Sequence, residues 1–301
     1  LSTSSPIFRF APSPNGHLHL GHALSALLNC RAAERTGGTC LLRIENIDQT
    51  RCTPALEQEM LEDLTWIGAR FSGPVLRQSE RFDVYRAALE RLERDGLTYR
   101  SYLTRGEIKR FIADREAEGL VWPRDPDGAP LYPGDRTVLE ADEIRRREAS
   151  DMPFAIRLDM GKALARLGAM PDWWEGPAEL GEGEDPARWM EGRRIPAEPA
   201  AWGDVVLGRK DCPTSYHLSV VVDDAEQGVT DVLRGQDLYH ATSVHRLLQV
   251  LLGLPELRYR HHRLILDDEG RKLSKSLASA SLRDLRSSGV TEREVMGRIG
   301  L

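Results

Sequence analysis

An α/β fold built on a parallel sheet is what the 301-residue sequence predicts, and three observations lead there. Strand, loop, helix and strand signals follow one another within the first 45 residues, the pattern of a right-handed βαβ unit. A near-continuous apolar run at 215–222 (SYHLSVVV) reads as a buried parallel strand. With 41% hydrophobic and 29% charged residues, the chain has the composition of a globular protein with a sizeable core. No run approaches the roughly 18 apolar residues of a membrane helix, and the first ten residues lack the layout of a signal peptide, so a cytoplasmic location and no membrane partner are expected.

The elements follow in order. Residues 7–10 (IFRF) are β-prone, and the two prolines of Ala11-Pro12-Ser13-Pro14-Asn15-Gly16 force an extended loop after them. Ala23, Leu24, Leu27 and Leu28 recur at helical spacing over 22–35, Gly37-Gly38 stops that helix, and 39–45 (TCLLRIE) is the second strand. Helices are expected at 54–66, opened by Pro54, and at 80–94, capped by Ser79. The stretch 101–199 is rich in Trp and Pro and holds an acidic loop at 176–186, so it reads as an inserted subdomain. Asp223-Asp224 ends the strand at 215–222. Another strand begins over 229–233, an amphipathic helix covers 240–252, and 264–266 leads as a strand into a polar turn.

Two motifs carry chemistry. His19-Leu20-Gly21-His22 falls where the first loop meets the first helix, and a helix start with an approachable glycine is a place for an anion or nucleotide. Alone, such a His-x-x-His is equally a metal-binding or structural pattern. Lys272-Leu273-Ser274-Lys275-Ser276 is a basic loop able to close on a triphosphate. The four cysteines, Cys30, Cys40, Cys52 and Cys212, lack disulfide or zinc-knuckle spacing and read as reduced thiols. Net charge is −6, yet residues 258–301 are +4, either a solvated surface or a landing site for a polyanion.

Together the HLGH and KLSKS motifs resemble the paired signatures of class I aminoacyl-tRNA synthetases. That resemblance implies a doubly wound parallel sheet of the nucleotide-binding type, with the inserted subdomain and a short C-terminal helical segment. Arg9 to Gly16 (RFAPSPNG) looks like the opening of the glutamyl enzymes, and Leu42 to Asp48 (LRIENID) like their LRIEDxD strand, with Asn46 replacing the usual acid. Residues 216–224 (YHLSVVVDD), 228–230 (GVT) and 233–238 (LRGQDL) match a further block of that family. Only 25 residues follow Ser276. That length, with Asp48-Gln49-Thr50-Arg51 and His240-Ala241-Thr242, resembles the glutamyl-queuosine tRNA(Asp) synthetases, truncated paralogues of the glutamyl-tRNA synthetases.

The resemblance implies a division into 1–100 and 200–257 as two halves of the nucleotide-binding domain, 101–199 as the insertion, and 258–301 as the lysine-loop segment, with no anticodon-binding domain. It also implies L-glutamate, ATP with Mg²⁺ and queuosine-containing tRNA(Asp) as partners of a monomer. Arg9, Ala11, Ser13, Glu45, Tyr216 and Arg234 would hold glutamate. His19, Gly21, His22, Lys272, Ser274 and Lys275 would hold ATP, with His19, His22 and Lys275 catalytic. Ser101, Leu103, Tyr132 and Arg136 occupy the positions of a zinc site common in the family, and two of them cannot ligate, so no zinc is expected. Packing of Trp122, Leu131 and Tyr132 is expected to hold the insertion instead. Competing readings are a truncated glutamyl-tRNA synthetase charging a 3′ end, a small-molecule adenylate-forming ligase, and a catalytically silent RNA-binding module.

Overall fold

The computed structural model describes residues 5–179, 186–265 and 280–301. Strand β1 (Ile7–Phe10) sends Phe8 and Phe10 into a core shared with helix α1 (Leu20–Arg35) and turns Arg9 to the opposite face. Strand β2 (Thr39–Ile44) pairs parallel with β1, Ile7 opposite Thr39, so the βαβ unit forms as the sequence predicts. Helix α2 (Pro54–Trp66) starts at the predicted proline under a Thr53 cap and returns the chain to the short strand β3 (Leu76–Arg77), parallel to β2.

At the next helix a tertiary contact overrides the local start signal. Helix α3 (Phe82–Arg94) begins two residues later than expected, and Ser79 does not cap it. Gln78 and Arg81 are drawn instead onto the buried carboxylate of Asp223, which shapes 78–80 into a 3₁₀ turn. The Ser79 amide donates to Asn46 Oδ1 at 2.9 Å.

A three-stranded antiparallel sheet follows, formed by β4 (Thr98–Ser101), β5 (Ala155–Leu158) and β8 (Val206–Arg209), with β5 in the centre. Helices α4 (Arg105–Ala117), α5 (Asp135–Val138) and α6 (Ala141–Glu148) lie between β4 and β5, and α7 (Met160–Ala165) follows β5. Strands β6 (Asp172–Glu175) and β7 (Arg193–Pro196) then form a hairpin-like pair. The stretch 101–199 is therefore hydrogen-bonded into the rest of the chain, because β6 also pairs parallel with β10 (Arg258–His262), itself parallel to β9 (Asp231–Gly235). Ile7 and Thr230 exchange hydrogen bonds, and Asn29 of α1 donates to Leu233 O, so β1 lies beside β9. The sheet β3-β2-β1 and the sheet β9-β10-β6-β7 thus meet with β1 and β9 side by side, and the order in which the chain adds strands turns back there. In sheets of this kind a crevice opens at that point, beyond the carboxyl ends of the strands.

Two expected strands are corrected. Residues 216–222 belong to helix α8 (Tyr216–Glu226), with Ser215 extended just before it, and do not form a strand. Leu218 to Asp224 are buried on every side, so the run has no polar face to set a period, and a short apolar run cannot be told from a strand by pattern alone. Leu264 and Ile265 lie outside any strand, and Leu266 lies outside the described residues. The strand there is the more polar RYRHH of β10, which can be buried because Arg258 and Arg260 both pair with Asp231. Helix α9 (Thr242–Leu251) falls within the predicted 240–252.

Helix α1 and the C-terminal helices α10 (Leu282–Ser287) and α11 (Glu292–Ile299) pack in one core, while α3, α8 and α9 pack in another. The +4 balance of the C-terminal segment is largely spent inside the molecule. Arg283 pairs with Glu59 and Arg286 with Glu62 and Asp63, fastening α10 to α2. The described arginines of this segment are thus mostly structural rather than a landing surface. Among the described residues, no helix is long and apolar enough to cross a membrane.

Where the family's zinc ligands would stand, the residues do not fit a zinc ion. Ser101 Oγ donates to Ala155 O and accepts from Arg157 Nε, and the Tyr132 hydroxyl is hydrogen-bonded to Asp135. The Arg157 guanidinium stacks 3.6 Å from the Tyr132 ring centre, so a cation is already in place. Asp135 also accepts from the Tyr102 and Leu103 amides, and Trp122 donates to Leu131 O while its ring meets Phe111 edge-on. Elemental analysis of the purified protein is expected to give well under one equivalent of zinc; a full equivalent would overturn this reading.

Candidate active site

The crevice at the switch point is a cleft of about 250 Å³. Its walls are the end of β1 with the loop after it, the start of α1, the residue after β2, the start of α8, and the ends of β9 and β10. Arg9, Ala11, Ser13, Glu45, Tyr216 and Arg234, all six residues predicted to hold glutamate, line it. So do His19, Gly21 and His22. Lys272, Ser274 and Lys275, like the acidic positions 180–185, lie outside the described residues.

Helix α1 begins in a capping box made of histidines. His19 Nδ1 accepts from the Gly21 amide and His22 Nδ1 from the His19 amide, both at 3.1 Å. With each Nδ1 accepting, the proton of each neutral ring sits on Nε2, so both rings are donors at their outer nitrogens. A Cβ on Gly21 would stand 3.0 Å from the His19 ring, which explains why glycine separates the pair. Donor rings and the positive end of the helix dipole together suit a phosphate.

The opposite wall rests on a buried ion network that the sequence reading missed. Asp224 Oδ1 accepts from Arg9 Nε at 3.0 Å and from Arg43 NH1 at 2.7 Å. Arg43, fully buried, also reaches Glu45 at 3.3 Å. Burial works against the Asp224 charge, yet Arg43 and Arg9 hold its carboxyl below the usual range. Glu45 goes the other way: burial pushes its carboxyl up although Arg43 and Arg9 oppose this. A carboxylate short of countercharge is suited to an incoming ammonium. Asp223 beside it accepts from Gln78, Arg81 and Tyr85. The signal available in the sequence was a pair of acids closing an apolar run, a pattern that marks partnered burial as readily as a strand end.

Arg234 reaches the cleft from the end of β9, only 4% exposed. Its guanidinium is held by His245, His261 and Thr242 and lies 5.3 Å from the Tyr259 ring centre. Of these four only Thr242, in His240-Ala241-Thr242, falls in a segment that the family resemblance marks, and that resemblance gives it no role; His245, Tyr259 and His261 are scattered over α9 and β10.

A second, larger cleft of about 1050 Å³ lies between the β4-β5-β8 sheet and the start of α8. Tyr102, Phe154 and Trp202 line it together with the exposed Arg105 and Arg209. Tyr216 belongs to both clefts, so the two adjoin across that ring.

Comparison with known proteins agrees with this geometry. The family described as tRNA synthetases class I (E and Q), catalytic domain, matches residues 7–296. A glutamyl-Q tRNA(Asp) synthetase of Rhodobacter capsulatus is 45% identical over 98% of this chain and 100% of its own length. A glutamate–tRNA ligase 2 of a Methylobacterium species is 35% identical over 95% of this chain and 57% of its own. A crystallised glutamate tRNA ligase from Elizabethkingia meningosepticum, in complex with its amino acid, superposes with a TM-score of 0.68 at 27% identity. It aligns over 95% of this chain, which spans about half (53%) of that structure. A family match over nearly the whole chain, on a sheet whose switch point gathers the predicted residues, leads to one conclusion: the chain belongs to the class I tRNA synthetases of the glutamate and glutamine branch, as their catalytic domain.

Proposed function

We propose that the protein activates L-glutamate with ATP, bound as its Mg²⁺ complex, and transfers the glutamate to the queuosine base of tRNA(Asp). The observation that carries this reading is the convergence of Arg9, Arg234 and Glu45 in one small cleft beside the histidine-capped start of α1. Two arginines suit the two carboxylates of glutamate and one acid suits its ammonium. The 45% identical relative that bears the name glutamyl-Q tRNA(Asp) synthetase supports the choice of acceptor.

In the first step the α-carboxylate oxygen attacks the α-phosphorus of ATP in line, and pyrophosphate leaves as glutamyl-adenylate forms. This needs alignment and charge stabilisation more than proton transfer. The Nε2–H groups of His19 and His22 would donate to phosphate oxygens, and Glu45 and the arginines would fix the amino acid. In the second step a hydroxyl of the acceptor base attacks the mixed anhydride carbonyl, AMP leaves with the bonding pair, and the hydroxyl proton is released to solvent. The aromatic, cation-edged second cleft is the route by which an anticodon loop would reach that carbonyl past Tyr216. Stacking surfaces and exposed arginines are what an unstacked RNA base requires.

Labelled glutamate, ATP and tRNA with or without queuosine test the reading directly. Label is expected on queuosine-containing tRNA(Asp), is expected to survive removal of the 3′-terminal nucleotides, and is expected to be absent when guanosine replaces queuosine. A pocket that hydrogen-bonds the extra amine and diol groups rejects the base lacking them. Label on the 3′ end of tRNA(Glu) would replace this reading with that of a glutamyl-tRNA synthetase.

A further inference from the structure

Arg234 fixes the tautomers of three buried histidines. Its NH1 lies 3.0 Å from His245 Nδ1 and its Nε 3.1 Å from His261 Nε2, while NH2 donates to Thr242 Oγ1 at 2.7 Å and to Leu238 O at 3.1 Å. A guanidinium has donors only, so His245 Nδ1 and His261 Nε2 are both proton-free acceptors. The ring protons therefore sit on the far nitrogens. His245 Nε2–H donates to His217 Nδ1 at 3.2 Å, and His261 Nδ1–H donates to Glu175 Oε1 at 2.9 Å.

Burial, with the Arg234 charge adding to it, holds His217 down to about 4 and His245 well below the ordinary imidazole range. His261 is pushed down to about 4 by burial, against the pull of Glu175. Every group that touches the Arg234 guanidinium is thus neutral, and among the described residues no carboxylate forms an ion pair with it. Arg9 is the contrast across the same cleft, with its Nε on Asp224.

We propose that His245, His261 and Thr242 are positioning residues that hold Arg234 as an uncompensated buried cation, and that this neutral cradle makes the cleft select a carboxylate side chain over its amide. An arginine already paired with an acid would meet a carboxylate and an amide on similar terms. A buried arginine without a counterion gains its partner only when the carboxylate arrives, and the amide leaves it without one. The inference rests on glutamate being the substrate.

The test contrasts charge with shape at one nitrogen. His245→Asn keeps a neutral acceptor near Nδ1, whereas His245→Asp puts a carboxylate there and forms an ion pair with Arg234. Glutamate KM in pyrophosphate exchange is expected to rise about a hundredfold in His245→Asp, with ATP KM little changed and the preference over glutamine much reduced. His245→Asn is expected to stay within about threefold of the parent KM, and His245→Asp to melt no lower than His245→Asn. Equal glutamate KM values in the two variants would overturn the proposal. If His245→Asp does not fold, His261→Gln against His261→Glu makes the same contrast from the other nitrogen. A parent protein that shows no glutamate-dependent exchange would overturn the glutamate reading itself, and the proposal with it.

Discussion

Asp224→Asn is expected to destabilise the protein by about 3–5 kcal/mol and to raise the glutamate requirement in the same stroke. The carboxylate is 3% exposed and stands between two guanidinium groups, Arg9 at 4% and Arg43 at 0%. Replacing it with a neutral amide leaves two cations buried with too little countercharge, and Asp223 lies 3.9 Å from Arg43, too far to substitute. The cost cannot stay local. Arg9 lines the cleft and Arg43 supports Glu45, so relaxation of either moves a group predicted to touch the substrate. Urea unfolding gives the first quantity and glutamate KM the second. A loss under about 1 kcal/mol with an unchanged KM would show that the network is dispensable.

The pH dependence has a definite sign. Asp224 titrates lower in the folded protein than in the unfolded chain, so its stabilisation is present above the ordinary carboxylate range and is lost as pH falls toward its lowered value. The parent protein should therefore lose stability on acidification more steeply than Asp224→Asn does.

What could be read from the sequence was whatever local chemistry decides. Helix α2 fell where Pro54 opened it, and the first βαβ unit followed from prolines, the helical spacing of Ala23, Leu24, Leu27 and Leu28, a glycine stop and two β-prone runs. The six glutamate-site candidates lay in short segments at the ends of strands and starts of helices, where a parallel fold places its crevice. Long-range partners were what remained hidden. Ser79 is a good cap by local rules, yet Gln78 and Arg81 follow Asp223 from 142 or more positions away. The run at 216–222 is a helix because a two-sided core buries all its faces, and such burial erases the period. The C-terminal charge excess looked available to RNA until α2 supplied Glu59, Glu62 and Asp63. The two histidines that cradle Arg234 belong to no motif, since they sit 11 and 27 residues from the arginine and meet it only when α9 and β10 pack.

Lys275→Ala is expected to slow glutamate-dependent pyrophosphate exchange about a hundredfold, with the KM values for ATP and glutamate changed less than about threefold. Lys275 lies outside the described residues, whose nearest stretches in sequence are 186–265 and 280–301. Ile265 lines the cleft wall, and the buried Leu282 donates its amide to Leu18 O at 2.8 Å, next to the His19 cap. Ser281 caps α10. A lysine is the side chain suited to meeting negative charge on a triphosphate, and the resemblance of the KLSKS motif assigns that role to Lys275. That charge grows on the departing pyrophosphate only as the α-phosphorus bond breaks, so its countercharge acts on the rate and not on ground-state binding. Lys275→Arg, which keeps the charge but changes its geometry, should recover part of the loss. A variant with normal turnover and a raised ATP KM would instead make Lys275 a ground-state contact, and would leave His19 and His22 as the groups that stabilise the departing phosphate.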